Sequence, residues 1–335
     1  MTLPHIALLL ASSMVFVACD TSAAADSQNT TASSPHRAGT IRANGIDIAY
    51  QIDGPIDGMP LVFIVGLGGQ MSDGLDATTA ALVERRFRVV RFDNRDAGRS
   101  THFSSAGAPP PLPDVIAAMQ AGQKPPVAYT ILDMARDTIG LMDALGIPKA
   151  HIVGGSMGGM IAQTLVANFP DRAISLTSVS STSGNPAIPY GPALAGMMSA
   201  TTPAKTPQEQ LDRQVAQFQA MEGSQYKEDP APLRARIRAQ MNRSDDAFAN
   251  ARQNMAIIPY ADRRAWLRTI KVPTLVIQGS DDPLYPPAHA QDQVANIPGA
   301  KLELIAGMGH TMPDALAGQF ADLVAAHART AEGKP

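Results

Sequence analysis

The chain of 335 residues holds a single cysteine, Cys19. One thiol closes no intrachain disulfide, so stability rests on packing alone. Charge imbalance is also slight. The 27 Lys and Arg stand against 30 Asp and Glu, a formal net charge of −3, which leaves no electrostatic footprint for nucleic acid. Beyond the N-terminus no stretch reaches the roughly 18 uninterrupted apolar residues that a membrane-spanning helix needs. Phosphate and metal signatures are missing as well. There is no Gly-x-x-x-x-Gly-Lys-Ser/Thr run, no turn that fits Gly-x-Gly-x-x-Gly, and no His-Glu-x-x-His or other ligand cluster, so neither cofactor nor metal is implied.

What is present is apolar residue in quantity. With 45% hydrophobic and 17% charged residues, a chain of this length can bury a large core in one large domain or two. Strand-like runs recur at Ile46 to Ile52, Leu61 to Val65, Phe87 to Phe92, His151 to Val153, Ile174 to Ser178, Thr274 to Gln278 and Lys301 to Ile305, and helical patterns such as Ile131 to Leu145 lie between most of them. That alternation predicts an α/β fold, a mostly parallel sheet with helices on both faces. It breaks between about Asn185 and Asp262, where Pro, Ala, Met and Gln dominate and helical spacing appears in Leu211 to Met221 and Leu233 to Met241; this reads as a helical cap inserted between two strands. A second, proline-rich irregular stretch, Pro109 to Pro126, is either a rim of the site mouth or a plain surface loop.

The run Val153, Gly154, Gly155, Ser156, Met157, Gly158, Gly159 carries the chemistry. It joins the buried-strand pattern of Ala150 to Val153 to the helical spacing of Met160, Ile161, Leu165 and Val166, which is a nucleophile elbow with Ser156 at the apex. A residue on so sharp a turn is held in strained backbone geometry, and small neighbours two positions away, Gly154 and Gly158, let strand and helix close around it. The rival reading, a glycine-rich turn that binds phosphate at a helix N-terminus, lacks the lysine-bearing signature.

A serine hydroxyl needs a histidine to take its proton, and that histidine needs a carboxylate to fix its tautomer. After Ser156 only His289, His310 and His327 remain. His327 reads as a surface residue of a C-terminal helix, and His289, after Pro286 and Pro287, opens a helix. His310 stands instead in Gly307, Met308, Gly309, His310, Thr311, a flexible loop just past the strand-like Leu302 to Ile305, where a base can reach the elbow. For the acid there are two neighbours beyond the strand Leu275 to Gln278. Asp282 is favoured, three residues after Gly279 and just before Pro283; Asp281 is the alternative and otherwise caps the turn. The order Ser156, Asp282, His310 is that of an α/β-hydrolase, not of the chymotrypsin or subtilisin arrangement.

With these motifs in view, the chain resembles the α/β-hydrolase superfamily over nearly everything after residue 40. Within it the chain is similar to the group of aclacinomycin-type methylesterases and related single-chain esterases. Besides the elbow and the acid and histidine loops, the likeness rests on Val65, Gly66, Leu67, Gly68, Gly69, Gln70 and on Phe92, Asp93, Asn94, Arg95, Asp96, Ala97, Gly98, Arg99, Ser100. Many relatives have His-Gly in place of Val65-Gly66, and glycine in place of Asp96. The resemblance implies an oxyanion hole formed by the backbone N–H groups of Leu67 and Met157, and such donors are indifferent to the first change. It also implies a serine ester hydrolase: Ser156 attacks an acyl carbonyl, His310 shuttles the proton, Asp282 orients His310, and water releases the acyl-enzyme. A cofactor-free perhydrolase, a lactonase or a carbon–carbon hydrolase would use the same triad, and a non-catalytic binding protein is the alternative from another class. An epoxide hydrolase or dehalogenase would want a carboxylate at position 156. The expected partner is a small-molecule ester, held in part by the cap methionines Met197, Met198, Met221, Met241 and Met255, whose flexible thioethers can mould an apolar wall or simply fill the cap's own core.

The largely apolar Ile6 to Ala18 has signal-peptide length and ends at Cys19, and Asp20 to Arg37 is a polar segment with little to bury. A lone cysteine in that place resembles a bacterial lipoprotein processing site, with cleavage near Ala23 to Ala25 as the secretory alternative. The organisation expected is therefore a signal over residues 1–19, a tether over 20–38, a hydrolase core over 39–184 and 263–335, and a cap over 185–262. If Cys19 carries a lipid that anchors the exported protein to a membrane, Cys19→Ser moves it into the soluble fraction with activity intact, as cell fractionation checks; unchanged fractionation would favour plain signal cleavage.

Overall fold

Two faces of one sheet are covered by apolar side chains, and this dictates the continuous hydrophobic runs of its strands. The computed structural model describes residues 36–333 except 73, 195–205 and 245, and within them β1 (Arg37–Ala43), β2 (Ile46–Asp53), β3 (Met59–Ile64), β4 (Phe87–Phe92), β5 (Ala150–Gly155), β6 (Ala173–Val179), β7 (Thr274–Gly279) and β8 (Lys301–Ile305) form a single sheet. The order across it is β1-β2-β4-β3-β5-β6-β7-β8. β2 runs antiparallel to both β1 and β4, and every other pairing is parallel, with Leu61 opposite His151 and Leu176 opposite Thr274.

The helices in chain order are α1 (Asp76–Glu84), α2 (Leu112–Gln120), α3 (Ile131–Ala144), α4 (Met157–Asn168), α5 (Pro207–Gln219), α6 (Pro230–Met241), α7 (Ala249–Ile257), α8 (Arg264–Leu267), α9 (Pro287–Asn296) and α10 (Ala317–Ala331). Successive strand residues point to opposite faces. Accordingly Val62, Ile64, Val90 and Phe92 pack with Met134 and Leu141 of α3 and Ile161 and Leu165 of α4, while Leu61, Phe63 and Val89 pack with Leu82 of α1 and Phe320 and Val324 of α10. The α3 start is set by a reciprocal cap: the Thr130 side chain accepts from the Asp133 N–H and the Asp133 carboxylate accepts from the Thr130 N–H.

Between β6 and β7 the chain departs from the sheet into α5, α6, α7 and α8. Leu211 and Val215 of α5 pack with Leu233 and Ile237 of α6 in a small core of their own. Three features differ from the sequence reading. β1 is a strand, although Arg37 to Thr40 are exposed and carry no apolar alternation. The proline-rich stretch holds α2, because Pro111 and Pro113 sit at its start, where proline's fixed φ suits the first turn. His327 is half-buried in α10, and its Nε2 lies 3.1 Å from the Leu176 carbonyl of β6, so it ties helix to sheet instead of facing solvent. Among the described residues no helix is long and apolar enough to cross a membrane.

Where α4 leaves β5 it lies almost on β3. A Cβ added at Gly158 would stand 2.0 Å from the Ile64 carbonyl oxygen, and one at Gly154 would stand 2.2 Å from the Gly158 carbonyl oxygen. Gly158→Ala is therefore expected to cost about 3 kcal/mol by forcing α4 off the sheet. Gly318→Ala, where nothing lies within 4 Å of the new Cβ, serves as the comparison and should not lower stability. Denaturant unfolding of the two variants checks this, and equal midpoints would show that the elbow tolerates a methyl group.

Candidate active site

β5 delivers Ser156 and α4 takes the chain away from it. Ser156 has φ 54° and ψ −120°, a left-handed conformation that costs about 1–3 kcal/mol and persists because its surroundings hold it. Its N–H donates to the Val179 carbonyl at 2.9 Å, and its carbonyl accepts from the Ser181 hydroxyl at 2.8 Å. The strand edge beside it thus fixes the turn from both sides.

His310 arrives from the loop after β8. Its Nε2 lies 3.0 Å from Ser156 Oγ and its Nδ1 lies 2.9 Å from Asp282 Oδ2. The three residues that the motifs single out are thereby brought together in one hydrogen-bonded relay. The His310 N–H donates to the Met221 carbonyl at 2.8 Å, and the ring stands edge-on to Tyr285 with centroids 5.3 Å apart. Asp282, at the end of β7, has its side chain fully buried. The Gln278 amide donates to Oδ2 at 2.7 Å, and the N–H groups of Leu284 and Tyr285 donate to Oδ1 at 2.8 and 2.9 Å. Burial alone would push this carboxyl up. The charge and hydrogen bond of His310, with the Tyr285 and Leu284 N–H groups, outweigh burial and hold it below the ordinary aspartate value, so it stays ionised opposite the imidazole.

Asp281 is exposed and serves the turn, accepting from the Ser280 hydroxyl and the Ser224 N–H. His289 is fully buried in α9, with Nδ1 2.9 Å from the Thr182 hydroxyl and its ring stacked on Tyr190.

Gly66 to Gly69 forms a turn closed by the Gly69 N–H on the Gly66 carbonyl at 3.1 Å, with φ 67° at Gly68. This turn lies against the elbow: a Cβ on Gly66 would stand 3.2 Å from Ser156 Cβ. Leu67 and Met157 therefore flank the serine. Among the described residues no acceptor is recorded for either of their N–H groups. The loop's neighbours also bind it. Asn94 donates to the Val65 carbonyl at 3.1 Å, and Asp93 Oδ1 accepts from the Met71 N–H at 2.8 Å.

Asp96 explains its own departure from glycine. It sits at φ 61°, where glycine is unstrained, and its buried carboxylate accepts from the Tyr129 hydroxyl at 2.6 Å and from Arg252 at 2.7 and 2.8 Å. The charged partner in α7 offsets the backbone strain. Asp96, His102 and Asp246 are a group among the described residues whose ligand atoms converge as a cation site would require. Arg252 already bridges the two carboxylates, at 2.7 and 2.5 Å, so the cation in that cluster is a guanidinium.

The cap methionines fall in different places. Met221 lies beside the histidine loop through its carbonyl. Met255 lines a cavity of about 220 Å³ with Pro109, Pro110, Pro126, Val127 and Arg252, so the proline-rich stretch frames a recess of mixed polarity. Met241 packs on the small core between α5 and α6. Met197, Met198 and Cys19 lie outside the described residues.

The family described as alpha/beta hydrolase fold matches residues 59–314. The chain is 29% identical over 292 residues to rhodomycin D methylesterase DauP of Streptomyces sp. (strain C5), covering 81% of this chain and 91% of that protein. It is 28% identical over 292 residues to the methylesterase DnrP of Streptomyces peucetius, with the same coverage. Among solved structures, the enol-lactonase from Burkholderia xenovorans LB400 superposes with a TM-score of 0.64 at 25% identity, covering 88% of this chain and all of that one.

If Asp282 holds His310 in its working tautomer, Asp282→Asn lowers hydrolytic kcat by about a thousandfold or more, whereas Asp281→Asn costs about tenfold at most. Steady-state kinetics of both variants decide it, and a larger loss at Asp281 would move the acid role there.

Proposed function

The chain belongs to the α/β-hydrolase family, and on that premise we propose that it hydrolyses carboxylic esters through a covalent serine intermediate. The observation that carries this reading is the continuous relay from Asp282 through His310 to Ser156, with hydrogen bonds of 2.9 and 3.0 Å. His310 Nε2 takes the hydroxyl proton as Ser156 Oγ bonds to the acyl carbon. The carbonyl electron pair moves onto oxygen, where the N–H groups of Leu67 and Met157 receive it. Collapse expels the alcohol, which leaves with the proton from His310. Water then attacks the acyl-enzyme, giving up its proton to the same nitrogen, and a second collapse frees the acid and restores Ser156.

The methylesterase names of the two relatives support an ester with a small alcohol group. A cyclic ester would pass through the same steps, and the fold shared with an enol-lactonase keeps lactones in the substrate panel. Met221 and Met255, near the histidine loop and along the recess, are candidates for shaping the substrate wall. Export, with or without a lipid on Cys19, remains the reading of the N-terminal sequence. In the test, an organophosphonate labels Ser156 in the wild type, and Ser156→Ala lowers ester turnover by about three to six orders of magnitude. A label on any other residue, or an active Ser156→Ala enzyme, would overturn the proposal.

A further inference from the structure

The oxyanion turn is gripped on its far side by a helix from the insertion between β6 and β7. Gln253 of α7 is fully buried, and its amide joins two loops: Oε1 accepts from the Gly68 N–H at 2.8 Å, and Nε2 donates to the Arg95 carbonyl at 2.7 Å. One partner is a donor and the other an acceptor, so only one orientation of the amide satisfies both. The Gly68 N–H belongs to the central peptide plane of the Gly66–Gly69 turn. Such a plane can stand in either of two orientations, with the N–H or the preceding carbonyl on a given side, and φ 67° at Gly68 marks the orientation adopted here. The Gln253 oxygen attracts the N–H in that state, and would face the Leu67 carbonyl oxygen in the other.

The helix that presents Gln253 is itself held firmly. Its neighbour Arg252 is paired with buried Asp96 and with Asp246, and also donates to the Gly107 carbonyl at 2.9 Å. The approach at Gly68 is close, since a Cβ there would stand 2.7 Å from Asn250 Oδ1. Further along, the Gln70 amide donates to the Gln240 carbonyl at 3.1 Å, and Arg243 pairs with Asp93, the residue that accepts from the Met71 N–H. Gln240, Arg243, Asn250 and Gln253 thus touch the 68–71 loop directly or through one residue.

We propose that Gln253 is a positioning residue for the oxyanion hole: through the Gly68 N–H it pins the peptide that follows Leu67, keeps the Leu67 carbonyl from reversing, and so holds in place the residue whose own N–H is the oxyanion donor, so that the docked α7 helix sets transition-state stabilisation. The proposal rests on the reading of Ser156 as nucleophile and Leu67 as oxyanion donor. It acts on the reacting carbonyl only once charge has developed there, and kcat should therefore respond while KM does not.

The experiment compares Gln253→Met, which keeps side-chain length and removes both polar atoms, with Gln253→Glu, whose carboxyl in its protonated form offers an acceptor to the Gly68 N–H and a donor to the Arg95 carbonyl, assayed at a pH low enough to protonate it. For each, kcat and KM are measured on one ester, together with the affinity for an arylboronic acid as a tetrahedral mimic and the melting temperature. Gln253→Met should lower kcat about 10- to 100-fold, with KM within about threefold and boronate affinity reduced by a similar factor. Gln253→Glu should recover the larger part of both losses. Should Gln253→Met not fold, Gln253→Asn, which withdraws the amide by one methylene, is read in its place. Full kcat and boronate affinity beside a lowered melting temperature would overturn the proposal, as would a Gln253→Glu variant as impaired as Gln253→Met. Failure of the wild type to be labelled at Ser156 would instead count against the serine-esterase reading.

Discussion

A helix pressed against a sheet so closely that one added methyl group would overlap a carbonyl oxygen is the constraint on which the site depends. The contact of Gly158 with Ile64 lets α4 begin directly at the end of β5, and Ser156 is left at a turn too tight for ordinary backbone angles. Protein interiors are packed at crystal density, so a displacement of α4 could not be absorbed locally. The same closeness places β3's outgoing loop beside the serine, since that loop begins one residue past Ile64. Nucleophile and oxyanion donors therefore stand in register because one helix and two adjacent strands share a single crowded corner.

Base and acid come from the far half of the sheet, and parallel pairing brings them in. β6, β7 and β8 follow β5 in spatial order, and the loops at their C-terminal ends lie on the side where Ser156 emerges. Asp282 is burdened by burial, yet three donors and the imidazole face it, which keeps it charged. Across the site, the insertion between β6 and β7 closes onto the core through buried polar contacts: Arg252 on Asp96, Arg243 on Asp93 and Gln253 on Gly68 and Arg95. Removing one partner of such a pair leaves the other unsatisfied, so these contacts are strongly mutually dependent.

Much of this was legible in the residues. Strands such as β3 and β7 are legible because burial on both faces leaves unbroken apolar runs, β2 and β8 because apolar and polar residues alternate, and the elbow because its geometry admits few residues besides glycine. Asp282 and Asp281 were separable only by spacing from Gly279, and their hydrogen bonds give the physical distinction. Other features had no such signal. β1 is an exposed edge strand whose side chains carry no alternation, and α2 was hidden by the very prolines that start it. α7 gives no sequence signal either, because its buried side includes Arg252 and Gln253 and so lacks the apolar stripe by which a helix is recognised. A buried glutamine that joins two loops looks, in sequence, like any residue on a solvated face. Asp96 was visible as a departure from glycine, but its reason lies 156 residues away in Arg252.

The central claim is that ester cleavage passes through an acyl group on Ser156. Acid quenching during steady-state turnover of an activated ester, followed by peptide mass spectrometry, measures it directly. The account predicts that the peptide containing Ser156 carries the mass of the acyl group, in an amount matched by a burst of released alcohol. Rapid turnover with that peptide unmodified, or an acyl mass on a different residue, would contradict it.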